Sequence, residues 1–185
     1  MRSWARPLVV AVIAAASVMA VASCSSRPGS AGTPTAAVPT LQAPSLDARG
    51  LAEQQAVEAY RGMWKAYIAA TRTADPDSPD LRRYTSGDAL TALVTGLQSI
   101  KSRGLLGKGD VVLAPRAVSA LPASNPTEVK ISDCVDSSAT SLYKASGEPY
   151  TDTPGGRRAM EATVQDVGGG AWKVTGFALR AVGTC

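Results

Sequence analysis

The sequence has 185 residues, of which 45% are hydrophobic and 18% charged, and its formal net charge is +4. This length allows one domain with additional segments. The positive charge is small and dispersed, so we expect no nucleic-acid partner. The sequence contains no histidine. This excludes Ser-His-Asp and Cys-His catalytic sites and nearly every zinc site, and we expect neither a metal nor a cofactor.

The first residues have the organisation of an export signal. Arg2 and Arg6 precede an apolar run at 8–22 that contains a single serine. A membrane-spanning helix needs about 20 apolar residues, so this run is too short to span a bilayer. A charged start, a short apolar segment and small residues at its end are typical of a signal peptide. We therefore predict a signal peptide over residues 1–23.

The four residues at 21–24, Val-Ala-Ser-Cys, resemble the lipobox of bacterial lipoproteins. The resemblance implies that Cys24 receives a diacylglycerol on its thiol and becomes the first residue after cleavage. It also implies a location at the outer face of the cytoplasmic membrane, with the membrane as a partner. A diacyl group is sufficient for stable anchoring, whereas one acyl chain is not. The alternative is an ordinary secretory signal that is cut after Ser23, with Cys24 incidental.

The segment at 24–48 is predicted to be a disordered tether that begins with the lipidated cysteine. It holds four prolines among Ala, Ser, Thr and Gly, and it lacks aromatic residues. Such a composition cannot bury enough apolar surface to fold. Its reach lies between roughly 25 Å as a coil and roughly 75 Å as an extended polyproline helix. The folded domain is then expected over residues 49–185.

Three helices are predicted at the start of this domain. The first spans about 51–72, with Asp47 as its N-cap, and a short second helix covers 79–84. The third spans about 86–102, with Thr85 and Asp88 as a capping pair and a glycine at 104 that suits its C-terminal end. The apolar face of the first helix is formed by Val57, Tyr60, Trp64, Tyr67 and Ile68.

After position 109 the hydrophobic pattern changes to a period of two, which is typical of strands. Strands are predicted at 110–121, 127–135, 138–145, 158–167 and 171–182. The three glycines at 168–170 indicate a hairpin turn between the last two. Helices followed by strands indicate an α+β fold, in which N-terminal helices cover one face of an antiparallel sheet.

Two cysteines remain in the domain, Cys134 and Cys185. An exported chain meets an oxidising environment, and a pair of this kind is most simply one disulfide. The alternative is two free thiols, with or without a redox role.

The domain resembles the nuclear transport factor 2-like superfamily over roughly residues 50–185. The resemblance rests on the long first helix, on the two helices after it, and on the stretches "VKISDCVDSS" and "GAWKVTGFALRAVGTC". These stretches look like those of actinobacterial secreted lipoproteins with such a domain. The resemblance implies a cone of helices packed on a curved antiparallel sheet. Ketosteroid isomerases and polyketide cyclases share this fold, so the resemblance specifies no reaction.

Asp133 is the candidate catalytic residue, because it shares a predicted strand face with Val129 and Ile131. If that face lines the cone, Asp133 could act as a general base with a tyrosine partner, which could be Tyr60, Tyr67 or Tyr84, with Tyr60 as the candidate site residue. The alternative is that Asp133 and Asp136 bind backbone amides at a strand end or turn.

Trp64 and Trp172 could flank a ligand pocket, although aromatic residues at helix and strand spacing are more often part of the core. Arg157 and Arg158 form either a solvated start of a strand or a small anion-binding contact.

These features favour a membrane-anchored, extracytoplasmic binding or interaction module without catalysis. Its partner would be an envelope protein or a small apolar ligand. A protein partner predicts an exposed apolar sheet face. The alternative function is an isomerase- or cyclase-type enzyme, which predicts a deep cavity next to the inward carboxylate. A third option is a purely structural envelope protein.

Overall fold

A computed structural model of the chain describes residues 47–185. The signal peptide, the lipidated Cys24 and nearly all of the predicted tether lie outside these residues. The described part contains three helices followed by six strands, which confirms the α+β class. The elements are α1 Ala48–Thr73, α2 Pro79–Tyr84, α3 Gly87–Ser102, β1 Leu105–Lys108, β2 Arg116–Leu121, β3 Glu128–Asp136, β4 Ser141–Lys144, β5 Arg157–Asp166 and β6 Trp172–Leu179.

Asp47 is the N-cap of α1, as predicted, and its carboxylate accepts a hydrogen bond of 2.7 Å from the backbone N–H of Gly50. Its buried stripe consists mostly of alanines, and of the five residues predicted for the apolar face only Tyr60 is buried. The buried side chains of α1 are Ala52, Ala56, Ala59, Tyr60, Met63, Ala66, Ala70 and Thr71. Trp64 and Tyr67 lie at the edge of this stripe and are only partly buried.

Helix α2 has the predicted bounds and α3 differs by one residue, but the predicted capping pair is wrong. Ser86 is the N-cap of α3 and makes no side-chain cap. The Thr85 hydroxyl instead donates a 2.6 Å hydrogen bond back to the carbonyl of Leu81. Thr85 therefore terminates α2, and it is unavailable to cap α3.

The strands form two antiparallel sheets, where one sheet was predicted. The main sheet has the order β2-β3-β5-β6, and β1 pairs separately with β4. Strand β1 was not predicted, because its four residues follow α3 directly and contain Gly107. Strand β2 starts later than predicted, since the preceding segment makes only one isolated bridge, between Val112 and Asp136.

The helices cover one face of the main sheet, and the core lies between them. Helix α1 packs against β2, β3, β5 and β6, and α3 packs against β6. Alternate residues of β3 and β5 are buried there, including Val129, Ile131 and Met160. An extra residue on β6, Thr175, shifts the register, so Phe177 faces the same side as Val174.

The opposite face of the main sheet is largely polar. Lys130, Ser132, Glu161 and Thr163 lie there on the two central strands. Within residues 47–185, the central strands therefore lack the exposed apolar face that was expected for a protein partner.

The structure confirms the disulfide between Cys134 on β3 and Cys185, with a Cα–Cα distance of 5.9 Å. The C-terminal segment is also held by backbone hydrogen bonds. The N–H of Arg180 donates to the Ala159 carbonyl at 2.9 Å, and the N–H of Gly183 donates to the Arg157 carbonyl at 2.7 Å. The disulfide thus fixes the last residues beside the start of β5.

We predict that replacing both cysteines, Cys134→Ala with Cys185→Ala, lowers the free energy of unfolding by about 4 kcal/mol, because the disulfide closes a long loop in the unfolded chain. Urea unfolding measures this change. The amides of Arg180 and Gly183 should also exchange their hydrogens faster. Cys24→Ser is the matched control and should leave the stability unchanged. A double variant as stable as the parent chain would contradict the prediction.

Candidate functional site

The structure brings the predicted pair of Asp133 and Tyr60 into contact inside the core. Both side chains are buried. The Tyr60 hydroxyl donates a 3.0 Å hydrogen bond to Asp133 Oδ2, and Met160 Sδ lies 3.2 Å from the same hydroxyl. The backbone N–H of Ala114 donates to Asp133 Oδ1 at 2.8 Å. The carboxylate thus joins α1, β3 and the segment that leads into β2.

Burial raises the pKa of Tyr60 well above its usual value. The indole N–H of Trp64 acts in the opposite direction, and the negative charge of Asp133 raises the pKa further. Trp64 Nε1 is close enough to influence the phenol, but it is outside hydrogen-bonding geometry and has no partner among the described residues. The Tyr60 hydroxyl therefore remains a donor to Asp133 at neutral pH.

This pair has the geometry of a structural contact. A general base must come within hydrogen-bonding distance of a substrate proton. Within residues 47–185, neither Asp133 nor Tyr60 lines any of the cavities described below. Asp136 also binds backbone, since its carboxylate accepts a 2.9 Å hydrogen bond from the Ser138 N–H. That hydrogen bond lowers the pKa of Asp136.

A cavity of about 360 Å³ lies beside the C-terminal half of α1, and we call it the Arg158 cavity. Its apolar lining includes the side chains Trp64, Tyr67, Ile100, Val135, Leu142 and Leu179. Its charged lining residues are Lys108, Asp152 and Arg158. The cavity therefore combines a mostly apolar wall with a few charged groups, which is the usual composition of a small-molecule site.

A second cavity, which we call the apolar cavity, has a volume of about 210 Å³. Met63, Leu93, Met160 and Phe177 line it. The two cavities have three lining residues in common, namely Trp64, Tyr67 and Leu179. These three side chains form a shared wall, so a movement of one of them changes both volumes.

Trp64 and Trp172 do not flank one pocket. Trp64 contributes to both cavities beside α1. Trp172 belongs to the core and lines a separate recess with Arg83 and Tyr84. Of the two tryptophans, only Trp64 lies at the cavities described above.

Arg158 is the site residue that sequence reasoning underestimated, because the two arginines at the start of β5 face opposite sides of the sheet. Arg157 is exposed on the outer face, and its guanidinium contacts Cys134 Sγ at 3.3 Å. Arg158 pairs with Val135 and lines the Arg158 cavity. The sequence did contain a signal for the position of Arg158. Alternate residues of a strand face the same side, and Arg158 alternates with Met160 and Val164 within β5.

Within residues 47–185, no group of three metal-ligating side chains could hold a metal ion. Among the helices of the same segment, none combines the length and the hydropathy that a membrane crossing requires.

No protein-family model matches the chain, and no curated protein matches its sequence. Among solved structures, the intermembrane-space region of the chloroplast protein ARC6 superposes with a TM-score of 0.48 at 18% sequence identity. The match covers 75% of this chain and 99% of that chain. A similarity at this level carries no conclusion about family or function.

We predict that Tyr60→Phe lowers the free energy of unfolding at pH 7 by about 1.5–3 kcal/mol, because a buried carboxylate loses a donor. The parent chain should also lose stability as pH rises above about 10, where tyrosine ionises when unfolded while native Tyr60 keeps its proton. Tyr60→Phe should reduce this alkaline loss. Urea unfolding between pH 7 and 11 measures both effects.

The control is Tyr143→Phe, which removes a phenol hydroxyl from a side chain that is 39% exposed. Its effect at pH 7 should stay within about 0.5 kcal/mol. Equal effects of the two substitutions would show that the buried hydrogen bond contributes nothing.

Proposed function

We propose that the chain is a lipid-anchored, extracytoplasmic lipoprotein whose α+β domain binds a small, largely apolar ligand without catalysing a reaction. The anchor is the diacylated Cys24 at the outer face of the cytoplasmic membrane, and the tether holds the domain away from the lipid. This part rests on the charged start, the apolar run and the Val-Ala-Ser-Cys sequence at 21–24.

The domain itself is proposed to be a nuclear transport factor 2-like cone. The order of three helices followed by antiparallel strands supports this assignment. So does the packing of α1 and α3 on one face of the main sheet.

The observation that carries the binding function is the pair of adjacent cavities beside α1. The Arg158 cavity, at about 360 Å³, falls within the range of small-molecule sites, roughly 300–1,000 Å³. The apolar cavity extends the apolar surface beyond the shared wall of Trp64, Tyr67 and Leu179. The polar outer face of β3 and β5 gives less support to a protein partner.

The isomerase- or cyclase-type alternative has less support. It requires a carboxylate that opens to a cavity, whereas Asp133 is buried and its two oxygens accept hydrogen bonds from the Tyr60 hydroxyl and the backbone N–H of Ala114. We expect Asp133→Asn to retain ligand binding, because the amide oxygen can still accept from Ala114.

Mass spectrometry of the full chain, purified from membranes of the producing organism, tests both parts of the proposal. The mass of the denatured chain should correspond to residues 24–185 with a diacylglycerol on Cys24. Cys24→Ser should lose that addition and leave the membrane fraction, whereas Ser25→Ala should keep both. A chain that is cleaved at another residue or carries no acyl group would contradict the anchor.

The native mass tests the ligand. We predict that a small molecule of defined mass remains bound and that Leu179→Trp displaces it, because Leu179 belongs to the shared wall and is 37% exposed. Val167→Trp is the matched control, since Val167 is exposed and borders neither cavity. An empty parent chain, or equal retention in the two variants, would contradict the binding function.

A further inference from the structure

Arg158 presents a cation on the helix-facing side of the main sheet. Within β5 it alternates with Met160 and Val164, which are buried beneath the helices, and its register partner is the buried Val135. Its Nε atom is buried without a hydrogen-bond partner in the described part of the chain. Within the same residues, the guanidinium forms no ion pair. Buried donors are normally paired, so this one requires an explanation.

The surroundings of Arg158 indicate what kind of acceptor would fit beside its guanidinium. Arg158 lines a cavity whose wall combines apolar side chains, among them Ile100, Leu142 and Leu179, with hydroxyl side chains such as Thr140 and Ser141. A ligand with an apolar body and a negatively charged end would satisfy both the wall and the guanidinium.

The charges of the cavity favour a ligand with a single negative charge. Lys108 and Arg158 oppose one carboxylate, Asp152. That carboxylate is already engaged by backbone, because its oxygens accept from the N–H groups of Leu142 and Thr153 at 2.6 and 2.8 Å. The Lys108 ammonium lies 5.7 Å from the centre of the Tyr143 ring. Arg158 therefore remains as the group best placed to bind an anion.

We propose that the Arg158 cavity binds a monocarboxylate with a hydrocarbon body, whose carboxylate pairs with the Arg158 guanidinium. This inference rests on the proposed binding function and specifies its ligand class. A carboxylate offers two acceptor oxygens in one plane, which match the planar donors of arginine. The hydrocarbon body then lies along the apolar wall towards Leu179.

The test compares octanoate with octan-1-ol, which have the same chain length and differ in charge. Each is titrated calorimetrically into the full chain in a non-ionic detergent, with a protein-free detergent blank. We predict that the parent chain prefers octanoate by about 10- to 100-fold. Arg158→Gln should abolish this preference and leave the binding of octan-1-ol unchanged. Arg157→Gln, which removes the neighbouring charge on the outer face, should retain the preference.

Each other result overturns a stated part of the account. Equal binding of octanoate and octan-1-ol by the parent chain, or an unchanged preference in Arg158→Gln, refutes the carboxylate contact but leaves the binding function standing. Tighter binding of octyl phosphate than of octanoate also refutes it. Binding of none of these probes refutes both proposals. Near-ultraviolet circular dichroism verifies the fold, and Arg158→Lys, which keeps the charge but not the planar donors, should show an intermediate preference if Arg158→Gln fails to fold.

Discussion

The close contact between α1 and the main sheet is the constraint on which the rest of the structure depends. Alanines at 52, 56, 59, 66 and 70 form most of the buried face of the helix. Because an alanine side chain is a single methyl group, such a face lets a helix backbone approach a sheet closely. The larger aromatic residues, Trp64 and Tyr67, lie at the edge of the face, and both cavities border them. The same helix thus provides a tight core contact and the wall of the proposed binding site.

Asp133 is a charged residue that is buried in this core, and its hydrogen-bond donors explain why it can be there. A buried carboxylate is unfavourable unless hydrogen bonds compensate for the lost water. Asp133 receives one donor from Tyr60 on α1 and one from the backbone of Ala114. These two contacts specify the position of α1 over β3 and of the segment before β2. Asp133 lines neither the Arg158 cavity nor the apolar cavity, which is why we propose binding rather than catalysis.

The helices were largely predictable because their signals are local. The Asp47 cap, the proline at the start of α2 and the glycine hairpin before β6 each depend on a few neighbouring residues. The alanine face was missed because alanine gives a weak periodic signal. The separate pairing of β1 with β4 and the bulge at Thr175 depend on long-range register, which period-two alternation does not contain. The position of Arg158 at the cavity follows from the same register. The sequence alone indicated only which face of β5 carries this residue.

A crystal structure of the full chain, purified from the producing organism without added ligand, tests the central claim most directly. The account predicts electron density for a bound molecule in the Arg158 cavity, with an anionic group at hydrogen-bonding distance from the guanidinium. It also predicts that the rest of that density follows the apolar wall towards Leu179. A cavity that holds only water, with Arg158 turned into an ion pair with Asp152 at about 4 Å or less, would contradict the account.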